Sequence, residues 1–228
     1  LIDYPDVEVY MIKRGFTDFD VMVNGYNYLA RSFLEGPLSA DAQVGRDWIK
    51  KLENLDADEA SRITTIVKAL DDPGYVARAE EEFTSYVLAM PPISPVPPYA
   101  SYYLDEVPSI WGEATRDAVR FYSRAELHWS ASAQILFETG EAVAPDHIGM
   151  ELAFVAVGEE QMAQEPEQER TAVIRNFLRE HLSRWLPRYV STLVRCTNSV
   201  HYLELGRWAR RWVEMDIENR SMPLFHNE

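Results

Sequence analysis

The run VIRNFLREHLSRWLPRYVSTL, residues 173–193, decides the fold. Val173, Phe177, His181, Leu182, Trp185, Tyr189 and Leu193 recur at three- and four-residue steps. That spacing places them on one face of a helix, with Arg and Glu residues between them. Pro187 falls inside the pattern. It lacks a backbone N–H and crowds the preceding turn, so a kink or a restart is expected there.

The same periodicity extends in both directions. Phe19, Val23, Tyr26, Ala30, Phe33 and Leu34 predict an earlier helix. Thr17 or Asp18 would cap it and Gly36-Pro37 would stop it. Trp48, Ile49, Leu52 and Leu55 mark a second helix. Asp58 precedes a third, with Ile63, Val67 and Leu70. Asp72-Pro73-Gly74 reads as a turn. Ala79, Phe83, Tyr86, Val87 and Met90 form a fourth face. Further on, Ala114, Ala118, Phe121 and Tyr122 define a helix over 112–125, with Arg116 and Arg120 toward water. Residues 127–137 form a short apolar run. Asp146 is placed to cap HIGMELAFVAVGEEQMA, whose buried stripe would be Ile148, Leu152, Val155 and Met162. Val200, Leu205, Trp208, Trp212 and Met215 predict a last helix. The expectation is an all-α fold of eight to ten helices.

Proline interrupts this pattern once. Six of the 13 prolines lie between Pro91 and Pro108, in PPISPVPPYASYYLDEVP. Regular helix is not expected there, and extended backbone is. Ile93, Val96, Tyr99, Tyr102, Tyr103 and Leu104 are interleaved with the prolines. So much apolar surface is costly to leave in water, so an ordered loop packed on the body is favoured over a linker. The organisation expected is one helical domain over 1–228. It has an N-terminal half at about 17–90, a Pro-rich loop at 91–111 and a C-terminal half at about 112–218.

With 228 residues, 46% of them apolar and 26% charged, the chain can bury a real core. Asp and Glu number 37 against 22 Lys and Arg, a formal net charge of −15. Such a chain repels phosphate backbones and anionic lipid, which argues against nucleic acid and against more than peripheral membrane contact. It attracts basic peptides. One cysteine, Cys196, allows neither a disulfide framework nor a Cys-based zinc site, and is expected to be a small buried hydrophobe. Residues 1–9, LIDYPDVEV, show no basic segment followed by an apolar run. A cytoplasmic protein is therefore expected.

Nucleotide-cradling glycine motifs, His-Glu-x-x-His and Gly-x-Ser-x-Gly are absent from the sequence. The cluster that could carry chemistry is Asp146, His147 and Glu151. His147 and Glu151, four apart, share a helix face and could bind metal or form an acid–base pair. The competing reading is a cap followed by solvated helix charges. His181 reads as a core histidine bonded to backbone. His128 and His201 have no partner visible in sequence. Tyr99, Tyr102, Tyr103, Trp111, Phe121 and Tyr122 lie within 24 positions. An aromatic groove rimmed by carboxylates would suit a peptide with basic residues followed by an apolar stretch.

Three stretches together resemble the TorD/DmsD family of molybdoenzyme-maturation chaperones. They are PPYASYYLD at 97–105, PDHIGMEL at 145–152 and FLREHLSRWLPRY at 177–189. The likeness in order and spacing runs from about Tyr26 to Asp216. The family's Glu-Pro before x-Asp-His is replaced here by Val143-Ala144. The resemblance implies a cytoplasmic chaperone rather than an enzyme, with no cofactor, no metal and no catalytic residue. It implies binding to the twin-arginine signal peptide and apo catalytic subunit of a molybdenum oxidoreductase, with export delayed until the cofactor is inserted. Carried over by position, the peptide site would comprise Pro98, Tyr99, Ser101, Gly112, Asp146 and His147. A monomer or a domain-swapped dimer is expected. The alternatives are a helical metal protein or enzyme using Asp146, His147 and Glu151, and a helical interaction scaffold.

Overall fold

The periodic segments become helices that differ in how much of their circumference they bury. The computed structural model describes residues 21–37, 57–89, 94–127, 143–164 and 167–221. In order, the helices are α1 (Val21–Leu34), α2 (Ala57–Ala69), α3 (Pro73–Glu82), α4 (Ala100–Leu104), α5 (Glu113–Arg124), α6 (Ile148–Gln164), α7 (Gln168–Phe177), α8 (Ser183–Cys196) and α9 (His201–Ser221). Two π-helical stretches, Phe83–Leu88 and Leu178–Leu182, follow α3 and α7. Among the described residues there is no strand, and Tyr99 and His147 form an isolated antiparallel bridge. The expected helix at Trp48–Leu55, the caps Thr17 and Asp18, Met90, Ile93 and residues 128–137 lie outside the described residues.

α6 is the axis of the molecule. It was expected to bury one stripe, yet every residue from Ile148 to Gly158 is buried. The cause is composition: IGMELAFVAVG carries apolar or small residues around its whole circumference, so each face can be covered. α1 lies along one side. Gly149 makes this possible, since a Cβ there would stand 2.5 Å from Leu34 Cγ and 3.1 Å from the Ala30 carbonyl oxygen. α9 crosses α1 and is tied to it twice. The Tyr26 hydroxyl donates to Asp216 at 2.9 Å and Trp212 Nε1 donates to the Met22 carbonyl at 3.0 Å. One hydrophobic core runs from Tyr26 through Phe154 and Trp185 to Val213.

Several local readings are corrected. Asp72-Pro73-Gly74 is a helix start: Asp72 accepts from Gly74 N at 2.9 Å and Pro73 occupies the first turn, where its missing N–H costs nothing. Within the proline segment, Ala100–Leu104 is a helical turn, because no proline falls between Pro98 and Pro108 and these five residues are free to coil. The segment packs inward, with Val96 and Tyr99 buried. The irregularity expected at Pro187 sits upstream, at Leu178–Leu182, and α8 runs through the proline. Cys196 is exposed at the end of α8, not buried, because the helix terminates there in solvent.

Two helices take their caps from far away in sequence. Asp105 accepts from the N–H groups of Glu113 at 2.6 Å and Ala114 at 2.9 Å, closing the start of α5. Glu82 accepts from Ser199 Oγ at 2.6 Å and from the N–H groups of Val200 and His201 at 3.1 Å, closing the start of α9. A carboxylate at a helix N-terminus satisfies free N–H groups and the helix dipole together.

Candidate functional site

The loop 143–147 enters α6 beneath the proline segment, and backbone bonds clamp the two. Ala100 N donates to the Asp146 carbonyl and Ile148 N to the Pro98 carbonyl, each at 2.9 Å. The Tyr122 hydroxyl donates to the Pro145 carbonyl at 2.7 Å. Pro98, Tyr99, Ser101, Asp146 and His147 are thus brought together.

Their orientation is inward. Asp146, His147 and Ser101 are 0% exposed and Tyr99 is 1% exposed. The Asp146 carboxylate does not cap its own helix. One oxygen accepts from Ser101 N at 2.8 Å and the other from Thr115 Oγ1 at 2.8 Å. It therefore locks α4 and α5 to the start of α6. The local cap is His147, whose Nδ1 accepts from Gly149 N at 3.1 Å. Burial pushes the His147 pKa down to about 3, so the ring is neutral. Its edge meets Tyr99, ring centroids 5.1 Å apart.

Glu151 does not pair with His147. It lies 0% exposed, and its carboxylate meets His181 Nε2 at 2.7 Å and accepts from Trp185 Nε1 at 2.9 Å. His181 is therefore bonded to a carboxylate rather than to backbone. Burial raises the Glu151 pKa, and the pull of His181 and Trp185 only partly offsets it. Burial alone would lower His181, but the charge and hydrogen bond of Glu151 reverse this and leave it raised. Among the described residues, no group of three or more His, Cys, Asp and Glu is placed to hold a metal ion. His201 has a partner the sequence did not disclose, the Tyr75 hydroxyl 3.1 Å from its Nδ1.

Asp146, His147, Glu151 and His181 with their partners form a buried cradle, and Gly112 stands at its edge beside Ser101. A Cβ on it would fall 1.7 Å from Asp105 Oδ2, so only glycine lets Asp105 reach the α5 N-terminus. Next to this cap the surface opens into a cleft of about 610 Å³. Its floor includes Leu104, Ala114 and Phe121, and His181 reaches it from inside. Five carboxylates line it, those of Asp105, Glu106, Glu113, Asp117 and Glu180, against three guanidiniums, those of Arg120, Arg124 and Arg184. Asp105 is engaged as a cap and Asp117 pairs with Arg120. Among the described residues no ion pair engages Glu106, Glu113 or Glu180. Sequence reading expected an aromatic groove rimmed by carboxylates but named for it only Phe121 of this lining, because three distant segments form the cleft.

A family model, nitrate reductase delta subunit, matches residues 52–191, a span that contains all three motif stretches. The Haemophilus influenzae protein named as the Tat proofreading chaperone DmsD is 27% identical over 164 residues, covering 70% of this chain and 69% of that one. The chaperone protein TorD of Shewanella piezotolerans is 26% identical over 128 residues, 53% of each chain. A solved structure of an Archaeoglobus fulgidus protein named for redox enzyme maturation aligns at 22% identity and a TM-score of 0.49, over 88% of this chain and 97% of that chain.

Proposed function

The chain belongs to the nitrate reductase delta subunit family, that of the TorD and DmsD maturation chaperones, and from that premise we propose that it binds a twin-arginine signal peptide. The client is the apo catalytic subunit of a molybdenum oxidoreductase, held in the cytoplasm until its cofactor is in place. The protein acts by binding, not by catalysis.

The observation that carries this reading is the open cleft beside the Asp146 cradle. A twin-arginine peptide presents guanidiniums followed by an apolar run. Glu106, Glu113 and Glu180 offer carboxylates for the first, and Leu104 and Phe121 offer apolar surface for the second. Guanidinium–carboxylate pairs are charge-assisted and contribute roughly 1.5–3 kcal/mol each when shielded from water. Asp146 and His147 serve this site from below, by fixing the α4–α5 wall. No helix of the described residues is long and apolar enough to cross a membrane.

Calorimetric titration with twin-arginine leaders of several molybdoenzymes tests the reading. One leader should bind, and its Arg-to-Gln version should bind at least about tenfold more weakly, the loss expected from one charged contact. Equal binding of the two versions would overturn it. Weakening from low to physiological salt is expected as well, since exposed charges are screened.

A further inference from the structure

Elsewhere on this acidic molecule the sign of charge reverses. A hollow of about 560 Å³ lies between α8 and α9, with α2 at its edge. Five of the chain's 22 Lys and Arg residues line it: Arg62, Arg195, Arg207, Arg210 and Arg211. Val194, 53% exposed, stands among them. Arg207, Arg210 and Arg211 are held by Glu204, Glu214 and Glu218 through exposed pairs on their own helix. Such pairs stabilise a helix by only a few tenths of a kcal/mol, so the fold does not account for the cluster. Concentrating guanidiniums around an exposed valine instead makes a surface for something anionic and partly apolar.

The geometry selects among anions. Arg207 and Arg211 are one turn apart on α9, about 6 Å along its axis. Arg195 faces them from α8. The cations are therefore strung along a groove and do not converge on a point, as a single phosphate would require. The walls come from within helices whose backbone N–H groups are already bonded, so no helix N-terminus joins the site. Arg207, Arg210 and Arg211 each already hold a carboxylate and can exchange it for another of the same geometry. A groove between two packed helices also has the shape that receives a third.

We propose that this groove docks an acidic amphipathic helix of a protein partner, with carboxylates at one-turn spacing over the arginines and an apolar residue on Val194. The proposal is independent of the signal-peptide reading and concerns the opposite sign of charge.

The full chain is titrated with a labelled synthetic helix bearing glutamates at one-turn spacing around a leucine, and with the same helix bearing glutamines. Binding of the glutamate form, weakened about tenfold by Arg207→Gln plus Arg211→Gln, is the expected result. Unchanged thermal unfolding of that variant confirms that it is folded. Should it not fold, Arg207→Glu tested against a helix with one glutamate changed to lysine replaces it, and recovery of binding by the swap is expected. Absence of glutamate-helix binding, equal binding by the variant, or tighter binding of inorganic triphosphate or of phosphatidylserine-containing vesicles at the same arginines would overturn the proposal. Binding of a twin-arginine leader should be the same in wild type and variant.

Discussion

The cradle and the cleft share His181, both are rich in carboxylates, and they use them in opposite ways. In the cradle, Asp146 and Glu151 are 0% exposed, and each oxygen has a partner on another element. In the cleft, Glu106, Glu113 and Glu180 are exposed and no described ion pair engages them. A buried charge without partners is costly, so the first set is committed to holding the fold. A solvated charge contributes little to stability, so the second set is available for a ligand. Net charge alone hides this division, because both sets count equally toward −15.

The largest expected effect belongs to the buried pair. Glu151→Ala leaves His181 and Trp185 without their acceptor and should cost roughly 3–5 kcal/mol in urea unfolding. A loss below about 1 kcal/mol would mean that water replaces the carboxylate and that Glu151 belongs with the cleft.

Asp146 sharpens the same contrast. Asp146→Ala strands Ser101 N–H and the Thr115 hydroxyl, at roughly 2–4 kcal/mol for the two together. Asp146→Asn keeps an acceptor for Ser101, and its amide can donate to Thr115 after the hydroxyl turns, so it should unfold near wild type. If signal-peptide affinity falls with Asp146→Asn at unchanged stability, Asp146 touches the ligand directly and the division between the two regions fails.

Gly112 lies on the boundary. Gly112→Ala drives its Cβ into Asp105, uncaps α5 and should cost about 1–2 kcal/mol, the range for a lost helix cap. Signal-peptide affinity should fall with it, because Asp105 also lines the cleft. Stability loss with unchanged affinity would separate the cap from the site.

Acid reports on the buried side alone. His147 and His201 are held neutral, with pKa values pushed down by burial to about 3 and about 4. Below pH about 6.5 they take up protons in the unfolded chain but not in the folded one, so their contribution to stability is lost as pH falls. His201→Gln removes one of them and should make the acid limb shallower by up to about 1.4 kcal/mol per pH unit. An unchanged limb would show that His201 is protonated in the folded state.

The smallest effect on stability is expected in the cleft. Changing Glu106, Glu113 and Glu180 together to glutamine should move unfolding by less than about 0.5 kcal/mol. Twin-arginine leader affinity should drop at least about tenfold in the same variant. Unchanged affinity would place the peptide elsewhere.

Particular elements show what could be read beforehand. The stop at Gly36 and the start at Gly112 lay in short local signals, whereas Asp72-Pro73-Gly74 was read as a turn and is a helix start. The all-helical class followed from spacing at Phe177, Trp185 and Tyr189. The inward packing of the proline segment followed from the cost of exposing Val96 and Tyr99. By contrast, the partner of His181 is 30 residues away, that of Asp146 is 31 and 45 residues away, and that of Glu82 is 117 or more. No periodicity encodes such pairings. The α4 turn was missed because proline density was read across residues that contain no proline.

The sequence by itself determined where the chain coils and which faces seek a core, because helix formation and amphipathicity act over three or four residues. Only the tertiary structure decided which carboxylates became fasteners and which were left for a ligand. That choice depends on whether distant donors such as Ser101 N–H, Thr115 and Trp185 arrive to replace water, and their arrival is settled by packing around α6.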